Sequence, residues 1–220
     1  MQQPTGRRDP WPIVGLAAAG TFVLLLVLVL AMGGLPADEP VTRFVQGLGL
    51  PVEAWTGITS LGGGSVLLPV GIGLGVAALA TGRYRLTLIV AVILLGGTLF
   101  TEVTKVLVAR PRPPWDHLVD ASGLSFPSGH SLNSAATYGL LAVVAWRTER
   151  LPPLVRRLAV VAGLLLPFAI GLSRVALGVH YPSDVLGGWS GGLAFVAAGA
   201  LLIAAPGAMS WTRPGVPERP

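Results

Sequence analysis

Phe126-Pro127-Ser128-Gly129-His130-Ser131-Leu132-Asn133 stands at the head of an apolar run that continues to Trp146. A breaker, a hydroxyl, a residue without a side chain and an imidazole, in that order, are how a helix N-terminus is written. The spacing predicts a helix from Ser128 to Trp146 with Ser128 as its cap. Free backbone N–H groups at the positive end of such a helix suit an anion. Taken alone, the tetrapeptide Pro127-Ser128-Gly129-His130 is equally an ordinary turn before a capped helix with a stray histidine. The sequence on either side decides between the two.

That surrounding sequence is apolar. Of 220 residues, 52% are hydrophobic and only 11% charged, with a mean hydropathy of +0.71, whereas soluble domains carry about 25% charged residues. The composition is that of a membrane protein, and at about 20 apolar residues per crossing there is room for six spans. The chain has no cysteine, which excludes disulfides, thiolate metal sites and a cysteine nucleophile. Its net charge of +5 sits in short arginine clusters between apolar runs, the pattern of topology signals, so no nucleic-acid partner is expected.

Upstream of Ser128, residues 109–127 read as a loop. Before it a third span, about Leu86 to Val108, stops against Arg110-Pro111-Arg112-Pro113-Pro114, where prolines end a helix. A second span, about Leu61 to Ala80, is rich in glycine. Its Gly71 to Gly75 segment follows no strand and precedes no Lys-Ser/Thr, so it reads as helix packing rather than a nucleotide loop. Residues 33–60 read as a loop holding a short interfacial helix around Val41 to Leu48. The first apolar run, about Ile13 to Met32, is longer than a signal-peptide core and is read as a retained span.

Downstream, the basic loop Arg147 to Arg157 leads into a fifth span, about Leu158 to Val175, which contains Pro167. A short link carries His180-Tyr181-Pro182-Ser183-Asp184. The sixth span, about Val185 to Ala205, opens on Gly187-Gly188 and Gly191-Gly192, read as packing positions. The expected fold is all-α, a six-span transmembrane helical bundle. Residues 1–206 form one domain and residues 207–220 a polar, disordered, cytoplasmic tail.

With six spans and the N-terminus inside, Arg7, Arg8, Arg83, Arg85, Arg147, Arg150, Arg156, Arg157, Arg213 and Arg219 fall on the cytoplasmic side. Only Arg43, Lys105, Arg110, Arg112 and Arg174 fall outside. This asymmetry orients a multi-pass cell-membrane protein with both termini cytoplasmic. It also brings the end of span three, the start of span four and the link between spans five and six to one extracytoplasmic face.

Lys105, Arg112, Arg174, His130, His180 and Asp184 thereby meet at a membrane boundary, where ionisable groups are costly and usually functional. Together they suit phosphoryl transfer. Fixed cations and N–H donors stabilise charge spread over the equatorial oxygens, a task for Lys105, Arg112, Arg174 and the helix start at Ser128 and Gly129. A neutral imidazole attacks phosphorus, and a carboxylate on its other nitrogen fixes the tautomer. His180 and Asp184, four apart, can make that pair. His130 can give the departing alkoxide its proton. The cations already neutralise charge, so no metal and no cofactor are demanded.

At these residues the chain resembles the type 2 phosphatidic acid phosphatase (PAP2) family, whose signatures are KxxxxxxRP, PSGH and SRxxxxxHxxxD. Here they read Lys105 to Arg112-Pro113, Pro127-Ser128-Gly129-His130, and Ser173-Arg174 through His180 to Asp184, with no departure in type or spacing. The resemblance implies a metal-independent membrane lipid phosphatase working through a phosphohistidine. It makes His180 the nucleophile, Asp184 its partner and His130 the acid. Lys105, Arg112, Ser128, Gly129 and Arg174 become the phosphate cradle.

Blander readings exist for each residue: a snorkelling Lys105 paired with Glu102, Arg112 as a topology charge, His180 and Asp184 as a structural pair. They must all hold in three separate places. Lys105 is also the one lysine in a chain otherwise built with arginine. His117 with Asp116 and Asp120 reads as a solvated loop. Trp55, Trp115, Trp146 and Trp211 read as interface anchors. The expected substrate is a lipid phosphate whose tail stays in the bilayer: undecaprenyl diphosphate, ranked first, then phosphatidylglycerol phosphate or phosphatidate. Two other classes stay open, a vanadate-dependent haloperoxidase on the same fold and a non-catalytic lipid-phosphate binder or transporter.

Overall fold

The computed structural model of the chain describes residues 9–205. The tail expected at 207–220 lies outside the described residues, as do Arg7, Arg8, Trp211, Arg213 and Arg219. Among the described residues all regular structure is helical: α1 (Trp11–Met32), α2 (Asp38–Gln46), α3 (Val52–Ser60), α4 (Gly64–Ala80), α5 (Tyr84–Val108), α6 (Gly129–Arg147), α7 (Pro153–Ala176) and α8 (Pro182–Ala204).

Six of these are long and alternate in direction. Gly15 of α1 faces Ala197 and Phe22 faces Gly191, so α1 and α8 run antiparallel. Gly188 faces Ser128 while Gly139 faces Val196, so α6 and α8 run parallel. Six crossings were expected, and five segments are long and apolar enough: Trp11–Met32, Val52–Ala80, Tyr84–Val108, Pro153–Ala176 and Pro182–Ala204. The difference is α6. It packs against α4, α5, α7 and α8, so it carries His130, Ser131, Asn133, Ser134 and Thr137 where a lipid-facing helix would need apolar residues.

Helix association in lipid gains little from burying apolar surface, so close approach of small residues does the work. Gly188 lies against the Ser128 carbonyl and Gly192 against the Leu132 carbonyl, each too near for a Cβ. The outward faces are greasy: Leu24, Val27, Leu88, Leu95, Leu164 and Phe168 are all exposed.

Residues 33–60 hold two helices where one was expected. α2 covers most of the anticipated helix, but its buried side carries Asp38 and Thr42 while Val41 and Phe44 are exposed. That is the polarity of a helix lying at a membrane surface with a polar interior behind it. α3 starts after the extended Pro51 and buries Trp55 and Thr59, one turn apart, towards α7. Trp55 is therefore a core residue beside Val175 and Val179, not an interface anchor. Trp115 likewise turns inward, donating to the Gly178 carbonyl at 3.1 Å, whereas Trp146 is exposed.

The 109–128 loop is pinned at one end of the bundle. Leu118 N donates to Leu177 O (3.0 Å), Ser125 N to Arg110 O (2.9 Å) and Ser128 N to Asp184 O (3.0 Å). Gly178 turns the chain with φ +75°, and a Cβ there would stand 2.8 Å from the Asp116 carbonyl. Only glycine meets both demands.

Candidate active site

α7 ends at Ala176, and the turn through Gly178 brings Val179 N and His180 N onto the Arg174 carbonyl at 3.2 and 3.3 Å. One hinge thus fixes Arg174 and His180 together. Asp184 follows in the first turn of α8, where its Oδ2 accepts from Tyr181 N at 3.0 Å. The same oxygen accepts from Ser125 Oγ at 2.5 Å and lies 3.4 Å from His180 Nδ1.

On the other side of the ring, Arg112 Nη1 is 3.2 Å from His180 Nε2. Arginine has no acceptor, so it donates, and Nε2 holds a lone pair while Nδ1–H points to Asp184. Arg112 is held there by three carbonyls, Val179 at 2.7 Å, Ser122 at 2.7 Å and Gly123 at 3.2 Å. Burial lowers the proton affinity of its guanidinium and Asp184 restores part of it. His180 is almost wholly buried. Burial takes its pKa down to about 4, against the hydrogen bond and charge of Asp184, with Arg174 and Arg112 lowering it further. The ring is therefore neutral near pH 7, the form that attacks phosphorus.

The remaining predicted residues converge on this ring from other elements. Ser128 is the N-cap of α6, yet its side chain caps nothing. Its hydroxyl instead accepts from Ser131 Oγ at 3.0 Å, so the helix start keeps N–H groups with no side-chain partner. A Cβ on Gly129 would stand 3.7 Å from Lys105 Nζ. Lys105, in the last turn of α5, is paired with Glu102 at 3.3 Å. His130 lies within electrostatic reach of Arg174, His180, Lys105 and Arg112 at once, and the α3–α4 turn covers it, with Gly62 near Cδ2 and Gly63 near Nε2. Arg174 donates to Thr59 Oγ1 at 2.9 Å and keeps a buried Nε with no hydrogen-bond partner among the described residues. Three segments far apart in sequence thus set cations, helix N–H groups and two imidazoles around one small volume.

Sequence reasoning missed four contributors. Ser125 and Arg110 both bond Asp184, Asp38 bonds Arg110 at 3.0 Å, and Thr59 holds Arg174. Arg110 did carry a signal, an arginine on the face the topology rule disfavours. Asp38 and Thr59 carried none, since their partners are remote in sequence. His117 Nε2 lies 3.0 Å from the Pro113 carbonyl. Among the described residues no group of three His, Asp or Glu is placed to hold a metal.

From Lys105, Gly129 and His130 a cavity of about 510 Å³ runs between α4, α5 and α6. Its walls include Leu67, Ile72 and Gly75 of α4 and Val90 and Leu94 of α5. It follows α5 from Lys105 back to Thr87, about 27 Å at 1.5 Å per residue.

Residues 86–206 match the model of the PAP2 superfamily. Phosphatidylglycerophosphatase B of Bacillus subtilis is 35% identical over 180 residues, 78% of this chain and 86% of that protein. Decaprenylphosphoryl-5-phosphoribose phosphatase of Mycolicibacterium smegmatis is 38% identical over 90 residues, 39% of this chain and 43% of that one. Among solved structures, a transmembrane PAP2-type phosphatidylglycerolphosphate phosphatase from Bacillus subtilis superposes with a TM-score of 0.76 at 29% identity, covering 84% of this chain and 93% of the other. LpxE of Aquifex aeolicus shares the fold, with a TM-score of 0.56 at 22% identity, covering 78% of this chain and 97% of the other.

Proposed function

This chain belongs to the PAP2 superfamily and is a membrane lipid phosphatase, and from that premise we propose that it hydrolyses phosphatidylglycerol phosphate or a closely related lipid phosphate through a phosphohistidine on His180. The observation that carries the mechanism is the pairing at one ring: Asp184 beside Nδ1 and Arg112 beside Nε2. Nε2 attacks phosphorus and the bond to the lipid oxygen breaks. His130 gives that oxygen its proton, and positive charge on the His180 ring is met by Asp184. Lys105, Arg112, Arg174 and the N–H groups at Gly129 hold the equatorial oxygens. Water then attacks the phosphohistidine, with His130 taking its proton, and inorganic phosphate leaves. The cradle is made of side-chain cations and backbone donors, so the mechanism runs without a metal.

The substrate ranking follows the breadth of similarity. Likeness to the phosphatidylglycerophosphatase extends over 180 residues, that to the polyprenyl-linked phosphatase over 90, so the diacyl substrate moves ahead of the polyprenyl diphosphate. The test is phosphate release in detergent from a panel of both lipid classes, in the presence of EDTA. Release is expected from phosphatidylglycerol phosphate at the highest rate. No release from any lipid phosphate would leave a non-catalytic binder. Loss of activity on chelation would contradict the metal-free route.

The cavity between α4, α5 and α6 suits one hydrocarbon chain of a substrate whose phosphate lies at His130. Gly75 lines it, and a Cβ there meets nothing within 4 Å. Gly75→Leu is expected to fill the far end, raising KM about tenfold for a long-chain substrate as buried methylenes are displaced. A six-carbon-chain analogue should be handled as by wild type. An equal effect on both chain lengths would remove the tail from this cavity.

The orientation rests on charge. Arg110 and Arg174 at the site end are buried and engaged within the protein, so they are not free topology charges. The other end carries Arg83, Arg85, Arg147, Arg150, Arg156 and Arg157 at or beside helix ends, which supports a site on the extracytoplasmic side. An impermeant thiol reagent applied to intact cells is expected to label Ser122→Cys and to spare Thr148→Cys. The reverse pattern would invert the topology.

A further inference from the structure

Arg110 lies outside the residues that the three signatures specify, yet it is among the most enclosed cations of the molecule, 5% exposed. Its guanidinium is divided between two carboxylates. Nη1 donates to Asp184 Oδ1 at 2.5 Å and to Ser183 Oγ at 2.8 Å, and Nη2 donates to Asp38 Oδ2 at 3.0 Å. The plane lies over the Tyr181 ring, 3.8 Å from its centroid. Asp38 completes the ring of contacts. It accepts from Ser183 N at 2.9 Å, Ser183 Oγ at 2.7 Å and Leu35 N at 3.0 Å. Buried ions that lose one partner are left uncompensated, so Asp38, Arg110 and Asp184 must stay together.

The arrangement has two effects on Asp184. Arg110 holds Oδ1, while Ser125 Oγ and Tyr181 N hold Oδ2, so the carboxylate cannot rotate and Oδ2 stays directed at His180 Nδ1. Arg110 also draws on the negative charge that Asp184 offers the imidazole, and Asp38 limits how much it draws. We infer that Arg110, anchored by Asp38, is a positioning residue that sets both the direction and the basicity of Asp184 towards His180. It keeps the ring neutral and correctly turned until phosphoryl transfer begins. The inference rests on the reading of His180 as the nucleophile.

The groups facing His180 come from every side. Asp184 reaches it from α8, Arg112 and Ser125 from the 109–128 loop, Arg174 from α7 and His130 from α6, while Arg110, Tyr181 and Asp38 of α2 stand behind Asp184. Arg112 and Arg174 disfavour a proton on the ring and Asp184 favours one. Removing Arg110 therefore strengthens Asp184 and raises the proton affinity of His180. Removing the charge of Asp38 leaves Arg110 wholly to Asp184 and lowers it.

The test is the pH profile of kcat/KM, with kcat and KM separated, for wild type, Arg110→Met, Arg110→Lys, Asp38→Asn and His180→Ala. The acid limb reports the requirement for a neutral nucleophile in the coupled site. Arg110→Met is expected to move that limb up by about one pH unit and to lower kcat about 100-fold, as misplacement of a reacting group does, while KM stays within about twofold of wild type. Arg110→Lys should return the limb towards wild type and recover only part of kcat, since an ammonium cannot span two carboxylates as a planar fork does. Asp38→Asn should move the limb down. An acid limb unmoved in whichever of these variants purifies as a folded protein would overturn the inference, as would a loss confined to KM. Equal rates for wild type and His180→Ala would instead overturn the reading of the nucleophile, so the two failures are distinguishable.

Discussion

Replacing His180 with alanine is expected to lower phosphate release by about 10⁴-fold or more, the scale seen when a covalent catalyst loses a member of its reacting unit. The chain has no cysteine, and the Ser128 hydroxyl is buried and engaged with Ser131. The loss belongs in kcat, because Lys105, Arg112, Arg174 and the helix start would still hold the phosphate. Folding should survive. Asp184 keeps Arg110, Ser125 and Tyr181 N, so no buried carboxylate is left unpaired. Thermal unfolding in detergent alongside phosphate release checks both halves. Residual turnover within about tenfold of wild type would remove His180 from the reaction.

Gly188→Ala should have the next largest effect, from a residue that touches no substrate. A Cβ at 188 would stand 2.7 Å from the Ser128 carbonyl, 2.7 Å from Ser131 Cβ and 3.0 Å from Leu132 N. Two of these are backbone atoms and cannot swing aside. The methyl group must push α8 from the start of α6, and with it His180 and Asp184 from Gly129 and His130. A shift of about 1 Å at reacting groups costs about 100-fold, so kcat is expected to fall by that order and the unfolding temperature to drop as well. Gly73→Ala is the control, since a Cβ there meets nothing within 4 Å. Equal behaviour of the two variants would show that the close approach of α6 and α8 does not govern the site.

The parts of the site legible in the sequence are those written locally. His180 and Asp184 stand four apart across a helix start, and Ser128-Gly129-His130 open a helix, so short-range geometry announces them. What the sequence hid depends on partners far away. Asp38 is 72 residues from Arg110 and 145 from Ser183, and nothing near it distinguishes it from an acidic loop residue. Thr59 matters only because α3 packs on α7 and meets Arg174 there, across 115 residues. α3 itself was invisible for the same reason. Its Trp55 and Thr59 face a surface supplied by another element, while Pro36, Pro40 and Pro51 made residues 33–60 read as loop.

The count of crossings shows the limit of hydropathy in the other direction. α6 was anticipated from its motif and pattern, yet it is too polar to pass on apolarity, because its neighbours shield it from lipid. Ser128 marked the start of that helix correctly but was assigned a capping bond that its hydroxyl does not make. The backbone position was readable, and the hydrogen the hydroxyl accepts from Ser131 was not.

The most direct measurement is trapping of the covalent intermediate. Protein mixed with lipid substrate carrying a labelled phosphate would be quenched in alkali within milliseconds, because a phosphohistidine survives alkali and is lost in acid. The label is expected on wild-type protein, on the peptide containing His180, and absent from His180→Ala. Label on another residue, or turnover by wild type with none retained at any time, would contradict the mechanism.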